Sequence, residues 1–150
     1  NLDVKKRYAV FVQKKFDYKL NLLNITEGGW HGSKICLKKN LKSPHWLRSL
    51  KFKKYPFWRL DKIRDLQIID DGGWHFSYLQ SPEDILKKIS SFSHGERNTK
   101  EFKNIDRIKQ KIEAKENIFD LGFSYKKIEI DGNFPEYINK NKNKLKKWII

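Results

Sequence analysis

The chain has 150 residues, and its 33 Lys and Arg outweigh 18 Asp and Glu to give a formal net charge of +15. This length suits one domain, and an aromatic content of 14% excludes a disordered chain, which would be poor in aromatic residues. The single cysteine, Cys36, excludes an intrachain disulfide, and no apolar run is long enough to predict a transmembrane segment. The charge favours an anionic partner, such as nucleic acid, a nucleotide diphosphate, a phosphorylated glycan or an acidic membrane. The alternative is the codon bias of an AT-rich genome, because only six of the 33 basic residues are Arg.

The N-terminal part of the chain predicts a helix followed by short strands. Apolar residues recur at helical spacing before residue 13; they are Val4, Tyr8, Phe11 and Val12. From Phe16 to Leu22 apolar and polar residues alternate, which is typical of a strand. Gly28-Gly29 predicts a turn, and residues 33–37 predict another short strand.

Two Ser-Pro pairs predict helix starts, because serine caps free N–H groups and proline suits the first helical position. Ser43-Pro44 predicts a helix to Leu50, and Ser81-Pro82 predicts one with an inward face from Ile85 to Phe92. Between them, residues 66–70 predict a strand, Gly72-Gly73 breaks it, and residues 74–79 continue in extended form.

The C-terminal part of the chain predicts a helix over residues 104–116 and a strand over residues 125–130. A turn at Asp131-Gly132 and a last helix from Pro135 to Ile149 complete the sequence. Strands and helices alternate along the chain. The sequence therefore predicts an α/β fold of mixed short strands and helices, in a single domain over residues 1–150.

Two segments place Trp-His behind a double glycine. They are Gly72-Gly73-Trp74-His75, which continues into Phe76 and Ser77, and Gly28-Gly29-Trp30-His31. Glycine lets the backbone approach a ligand closely, an indole offers a platform for the C–H face of a sugar, and His and Ser can bond hydroxyls. The segments could form two walls of one carbohydrate cleft; the alternatives are a buried aromatic strand and a chance repetition.

Charged candidates lie elsewhere in the chain. His94 and Glu96 follow the helix that begins at Ser81-Pro82 and could bind a metal or act as base and orienter, or they could be ordinary loop residues. Asp70-Asp71 ends a strand just before a glycine turn, which suits a functional carboxylate. The arginines that could meet a diphosphate, or simply face solvent, are Arg48, Arg59 and Arg64.

Together these motifs resemble glycosyltransferase family 17, the β-1,4-mannosyl-glycoprotein β-1,4-N-acetylglucosaminyltransferase family. The residues that carry the resemblance are the run from Asp71 to Leu79, then Ile85, Lys88-Ile89 and Ser91-Phe92-Ser93-His94-Gly95-Glu96. Similar flanking segments lie at residues 13–21, 30–32, 44–48, 105–112 and 134–138. The resemblance implies the C-terminal part of a GT-A-like nucleotide-sugar transferase fold.

The resemblance also implies an activity and residues that perform it. The activity is inverting transfer of a sugar, typically N-acetylglucosamine, from a UDP-sugar to a glycan hydroxyl, with a divalent metal such as Mn²⁺. The implied catalytic residues are Glu96 and Asp71 as rival bases and His94 near the metal. The residues implied to bind substrate are Trp30, His31, Arg48, Gly73, Trp74, His75, Ser77 and Lys88.

Members of this family carry an acid-rich metal motif upstream of the region matched here, so the nucleotide-sugar half is expected to be missing from this chain, as the lack of Met also indicates. Two alternatives stay open: a basic nucleic-acid-binding module and an inactive fragment that needs a partner. The abundance of Lys, Asn and Ile, typical of AT-rich genomes, favours a microbial or viral protein in a cytoplasm or at a membrane surface. A eukaryotic member would act in the Golgi.

Overall fold

A computed structural model describes residues 2–3, 5–51, 56–59, 63, 66–91 and 99–150. Within these residues the strands are β1 (Tyr8–Phe11), β2 (Lys14–Asp17), β3 (Leu22–Asn24), β4 (Lys34–Cys36), β5 (Leu66–Ile69), β6 (Trp74–Ser77) and β7 (Tyr125–Lys127). The α-helices are α1 (Pro44–Ser49), α2 (Pro82–Ser90), α3 (Ile105–Glu113) and α4 (Glu136–Lys140). The predicted mixture of short strands and helices is therefore confirmed.

The chain divides into two compact units, and each unit is built from two separate stretches of sequence. The first comprises Asn1–Lys14 and Gly29–His75, and the second comprises Lys15–Gly28 and Phe76–Ile150. The divisions at residues 14 and 75 fall inside β2 and β6. The sequence predicts one domain, whereas the packing of the chain distinguishes these two units.

The first unit is organised around β1, the central strand of a sheet in the order β4-β1-β5. β1 is antiparallel to β4 and parallel to β5, with Tyr8 opposite both Cys36 and Leu66. The prediction of a helix before residue 13 is wrong. Consecutive residues Tyr8, Ala9 and Val10 are all buried, and a run that is apolar at every position matches helical spacing as easily as it forms a central strand.

Helix α1 begins as its sequence predicts. The Ser43 hydroxyl accepts a hydrogen bond from the Trp46 backbone N–H at 3.1 Å, and Pro44 occupies the first helical position. The Trp46 ring lies edge-on to Tyr8, with 5.5 Å between the ring centroids. Strands β4 and β5 also lie where the sequence predicts them.

The second unit contains most of a four-stranded sheet in the order β6-β2-β3-β7. The predicted continuous strand from Phe16 to Leu22 is wrong, because Tyr18 has a φ of 65° and the chain turns before it resumes as β3. The β2–β3 pair is antiparallel, with Phe16 opposite Leu23. Tyr18 and Leu20 lie in the turn and are buried. The alternation of apolar and polar residues therefore continues past the end of β2.

Two apolar clusters stabilise the second unit. The first contains Tyr18, Leu22, Ile85, Ile89, Ile108, Ile118 and Phe119, and therefore joins α2 and α3 to the β2–β3 segment. The second contains Phe16, Leu20, Phe134 and Ile138. Both predicted helix starts are confirmed: the Ser81 hydroxyl accepts from the Asp84 N–H at 3.2 Å, and the Asn104 side chain accepts from the N–H groups of Asp106 and Arg107.

The C-terminal elements are shorter than the sequence predicts. β7 ends at Lys127 and α4 at Lys140, after which turns and a 3₁₀ segment at Lys146–Trp148 follow. In this Lys/Asn-rich stretch the Asn141 side chain donates to the Tyr137 carbonyl at 2.9 Å, a local bond typical of residues that interrupt helices. None of the helices in the described ranges is long and apolar enough to cross a membrane.

Candidate functional site

Gln13 connects the segments that carry Trp30 and Trp74 in the first unit. Its N–H donates to the Trp30 carbonyl at 3.0 Å, and the Trp30 N–H donates to the Gln13 carbonyl at 2.8 Å. The Gln13 side chain accepts from the Ser33 hydroxyl at 2.8 Å, and its amide donates to the Trp74 carbonyl at 3.5 Å. The Lys14 N–H donates to the Gly73 carbonyl at 2.9 Å. Two motifs that are distant in sequence are thereby placed on either side of one residue.

The rings of Trp30 and His75 stack on one another. Their centroids are 3.8 Å apart and their planes differ by only 6°. The structure therefore brings the two motifs together, but as touching rings rather than as walls with a sugar-sized gap between them. His31, the other histidine of the pair, is half-buried in the same unit.

Two glycines permit this arrangement. A Cβ atom on Gly32 would lie 1.9 Å from the Trp30 ring, so the indole occupies the space that any side chain at residue 32 would need. Gly73 has a φ of 118°, a left-handed conformation that L side chains rarely adopt, and it immediately precedes Trp74. The glycine pattern thus sets the positions of both tryptophans.

Trp74 and Asp71 are the accessible groups of this segment. Trp74 retains 38% of its surface, so its ring is available as a platform. Asp71 is exposed, its carboxylate lies 3.3 Å from the Lys14 ammonium, and its φ of 50° is unusual for a residue other than glycine. An exposed carboxylate two turn residues before an exposed indole could take a proton from a hydroxyl held on that ring.

A second polar feature of the first unit joins β4 to α1. The Lys34 ammonium donates to the Arg48 carbonyl at 2.5 Å. Burial, and then the positive charge of Arg48, lower the pKa of Lys34. Arg48 itself is exposed, as is Arg59, whereas Arg64 lies outside the described residues. Two cations near each other could receive an anion, which fits the role implied for Arg48.

The remaining predicted site residues belong to the second unit or to undescribed positions. The Ser77 carbonyl accepts from the Tyr18 N–H at 3.0 Å within the sheet, and the Lys88 ammonium lies 4.5 Å from the centroid of the Tyr78 ring. His94 and Glu96 lie outside the described residues, so the roles implied for them stay predictions.

Asp17 is a buried acid that the sequence reasoning missed. It is 2% exposed; its Oδ2 accepts from the Tyr125 hydroxyl at 3.2 Å and lies 3.9 Å from the Lys15 ammonium. Its Oδ1 has no hydrogen-bond partner among the described residues. Burial raises the pKa of Asp17, against the opposing effect of Lys15. The available signal was a carboxylate placed directly between two aromatic residues, Phe16 and Tyr18.

The implied metal has no site in the part of the chain that the structure describes. No group of three or more His, Cys, Asp or Glu side chains comes together there. His94, the residue implied to lie near the metal, is outside the described residues, so the metal stays a prediction and no chemical step is assigned to it.

Comparisons with known families, with curated proteins and with solved structures gave no significant match to this chain.

Proposed function

We propose that the chain is the C-terminal, sugar-binding part of a GT-A-like inverting glycosyltransferase that moves N-acetylglucosamine from a UDP-sugar to a glycan hydroxyl. One observation carries the proposal: Gln13 bonds to both Trp-His segments, and the Trp74 indole is exposed three residues after the exposed Asp71. The residues involved are those of the sequence resemblance to family 17.

The proposal gives each residue of the first unit a distinct role. Trp74 stacks on the apolar face of a sugar ring, since an indole joins a large apolar surface to a polar N–H. Asp71 accepts the proton of the attacking hydroxyl, while Arg48 approaches the departing diphosphate. His75 acts through its stack on Trp30, which fixes the strand that carries Trp74. Glu96 is the rival base. Ser77 and Lys88, which belong to the second unit, stay substrate-binding residues on the resemblance alone.

Calorimetric titration tests the binding part of this proposal. N-acetylglucosamine oligomers should bind the chain, and Trp74→Ala should weaken that binding about five- to tenfold, the loss expected for one aromatic stacking contact. Trp58→Ala is the matched control, because Trp58 is also exposed in the first unit, at 65%, and should leave binding unchanged. Equal affinities of wild type and Trp74→Ala would refute the platform.

The catalytic part requires the donor. UDP-N-acetylglucosamine is titrated into the chain with and without Mn²⁺, and release of UDP in the presence of the oligosaccharide is followed in an enzyme that also carries the nucleotide-sugar half. Asp71→Asn should lower kcat by about 10²–10⁴ with little change in oligosaccharide affinity, as expected for loss of a general base. Asp70→Asn is the neighbouring control, and Glu96→Gln tests the rival. If Asp71→Asn kept the kcat of the wild type, the general base would be Glu96 instead of Asp71.

The net charge of +15 favours a second candidate function, binding of nucleic acid. Salt separates the two functions. Affinity for a nucleic acid should fall steeply as NaCl rises, because binding releases counterions, whereas stacking on Trp74 should change little. Tight binding of RNA or DNA by a chain that does not bind the oligosaccharide would favour the second function. Binding of neither ligand would favour a fragment that needs a partner.

On composition alone, we place the protein in a microbial or viral cytoplasm.

A further inference from the structure

The second unit contains an open groove with cationic and apolar walls, distinct from the candidate site. Its volume is about 590 Å³, within the range of small-molecule sites. Lys127, Lys142 and Lys146 line it together with Ile128, Ile130 and Ile149. These six residues define the lysine–isoleucine groove.

Buried hydrogen bonds hold the walls of the groove in place. Asn21, which is 2% exposed, donates from its side-chain amide to the carbonyls of Ile128 at 3.2 Å and Ile150 at 3.1 Å. Its side-chain oxygen accepts from the Ile150 N–H at 2.9 Å. Ile128 also donates its N–H to the Asn21 carbonyl at 3.0 Å. One buried residue therefore links the segment after β7 to the last residues of the chain.

The charges of the groove are unequal. Lys127, Lys142 and Lys146 are all exposed, and the Lys142 ammonium also donates a hydrogen bond to the Ile130 carbonyl at 2.5 Å. Glu129 is the acid among the lining residues. Three lysine ammonium groups and one glutamate carboxylate among the lining side chains give the groove a net preference for anions, and the ammonium groups of Lys127 and Lys146 have no partner among the described residues.

We propose that the lysine–isoleucine groove binds an anionic amphiphile: a phosphate or carboxylate head bonded to Lys127 and Lys146, with a hydrocarbon portion against Ile130 and Ile149. Neither half of this chemistry suffices alone. Exposed ammonium groups bind a small anion weakly in water, and the isoleucines add apolar area that a hydrophilic anion cannot use. Ile130 and Ile149 pack against the second apolar cluster, so they present a fixed surface to the ligand.

Three soluble probes test the two halves of the chemistry by calorimetry. Decyl phosphate carries both head and tail, inorganic phosphate lacks the tail, and decyl glucoside lacks the charge. Decyl phosphate should bind at least about tenfold more tightly than either of the others, because only it uses both kinds of wall. Equal binding of inorganic phosphate or of decyl glucoside would overturn the proposal.

Paired variants separate the groove from general attraction to a basic protein. Lys127→Gln with Lys146→Gln removes two charges that line the groove, and Lys126→Gln with Lys144→Gln removes two that do not. The first pair of substitutions should weaken the binding of decyl phosphate at least about tenfold, and the second pair should weaken it less than about twofold. Glu129→Gln should strengthen the binding of decyl phosphate, because a carboxylate that repels the phosphate is lost. Equal losses in both pairs would overturn the proposal, provided circular dichroism shows that all variants fold.

Vesicles identify the source of the ligand. Phosphatidylcholine vesicles with and without phosphatidic acid are sedimented with wild type and with both paired variants. Retention that depends on phosphatidic acid and on Lys127 and Lys146 assigns the groove to a lipid headgroup. Binding of decyl phosphate without such retention assigns it to a soluble amphiphile.

Discussion

Asp17 combines burial with an incomplete set of hydrogen bonds. Folding removes its carboxylate from water, and Tyr125 and Lys15 replace only part of the lost hydration. Tyr18, the next residue, has a positive φ that bulky side chains rarely adopt. Unfavourable features of this kind need compensation, and the apolar cluster around Tyr18 supplies it.

Asp17 should make the protein less stable as the pH rises. Burial raises its pKa above the ordinary value of 3.8, so the folded state binds the proton more tightly than the unfolded state. The contribution of Asp17 to the free energy of unfolding should therefore fall from about pH 3.8 through the folded-state pKa. Asp17→Asn cannot ionise, and at pH 7 it should be more stable than wild type by about 1 kcal/mol.

Urea unfolding from pH 3 to pH 7 measures this effect. The two stability curves should converge at the acid end, where wild-type Asp17 is protonated in both states. Glu113→Gln, an exposed carboxylate at the end of α3, is the control and should follow wild type. A variant Asp17→Asn that is less stable than wild type at pH 7 would show that the carboxylate gains more from Lys15 and Tyr125 than burial costs.

Gly32→Ala tests the Trp30–His75 stack. The added methyl group would overlap the indole, so the ring must leave its place over His75. We expect altered tryptophan fluorescence, loss of ring-current shifts at His75 in NMR spectra, and destabilisation by about 1–3 kcal/mol, the usual cost of overpacking.

Gly132→Ala is the matched control for this substitution. Nothing lies within 4 Å of a Cβ atom there, and the second unit contains it. It should unfold like wild type with unchanged His75 signals. A Gly32→Ala protein that also kept those signals would contradict the geometry of the stack.

Helices with explicit start signals are the elements that the sequence predicts well. Ser43, Ser81 and Asn104 are local caps, and each satisfies N–H groups a few residues away whatever the rest of the fold does. The strands are predicted less well. A strand that is buried on both faces is apolar at every position, so it lacks the alternation of apolar and polar residues by which a strand is recognised. β1 consequently matches a helical pattern, and Tyr18 continues an alternation after its strand has ended.

In the candidate site, too, the sequence predicts features that depend on neighbouring residues better than features that depend on distant ones. The Gly-Trp-His composition predicts that Trp30 and Trp74 serve one site, and the structure brings their segments together. The bridging role of Gln13 and the stacking of Trp30 on His75 were not predictable, since both depend on strand pairing between distant residues. The burial of Asp17 was missed for the same reason.

Across the whole molecule, like charges repel. With a net charge of +15, the chain should gain stability when salt screens this repulsion, because the Debye length shortens from about 30 Å at 0.01 M salt to about 10 Å at 0.1 M. The thermal midpoint should therefore rise as NaCl increases from low to physiological concentration. The Lys126→Gln, Lys144→Gln variant should show a smaller rise. A midpoint that falls with salt would mean that ion pairs such as Lys111–Glu116 outweigh the repulsion.

The division of the second unit into two stretches affects how the chain can fold during translation. The β2–β3 segment is made early, yet the Tyr18 hydroxyl accepts its hydrogen bond from Ile118, 100 residues later. At roughly 5–20 residues per second, a ribosome needs several seconds to supply that partner. Phe16 and Leu22 stay without their native cover during this interval, while the residues of the first unit are already complete at His75. The first unit can therefore form while the nascent hairpin still exposes Phe16 and Leu22, which makes this interval the stage at which aggregation is most favoured.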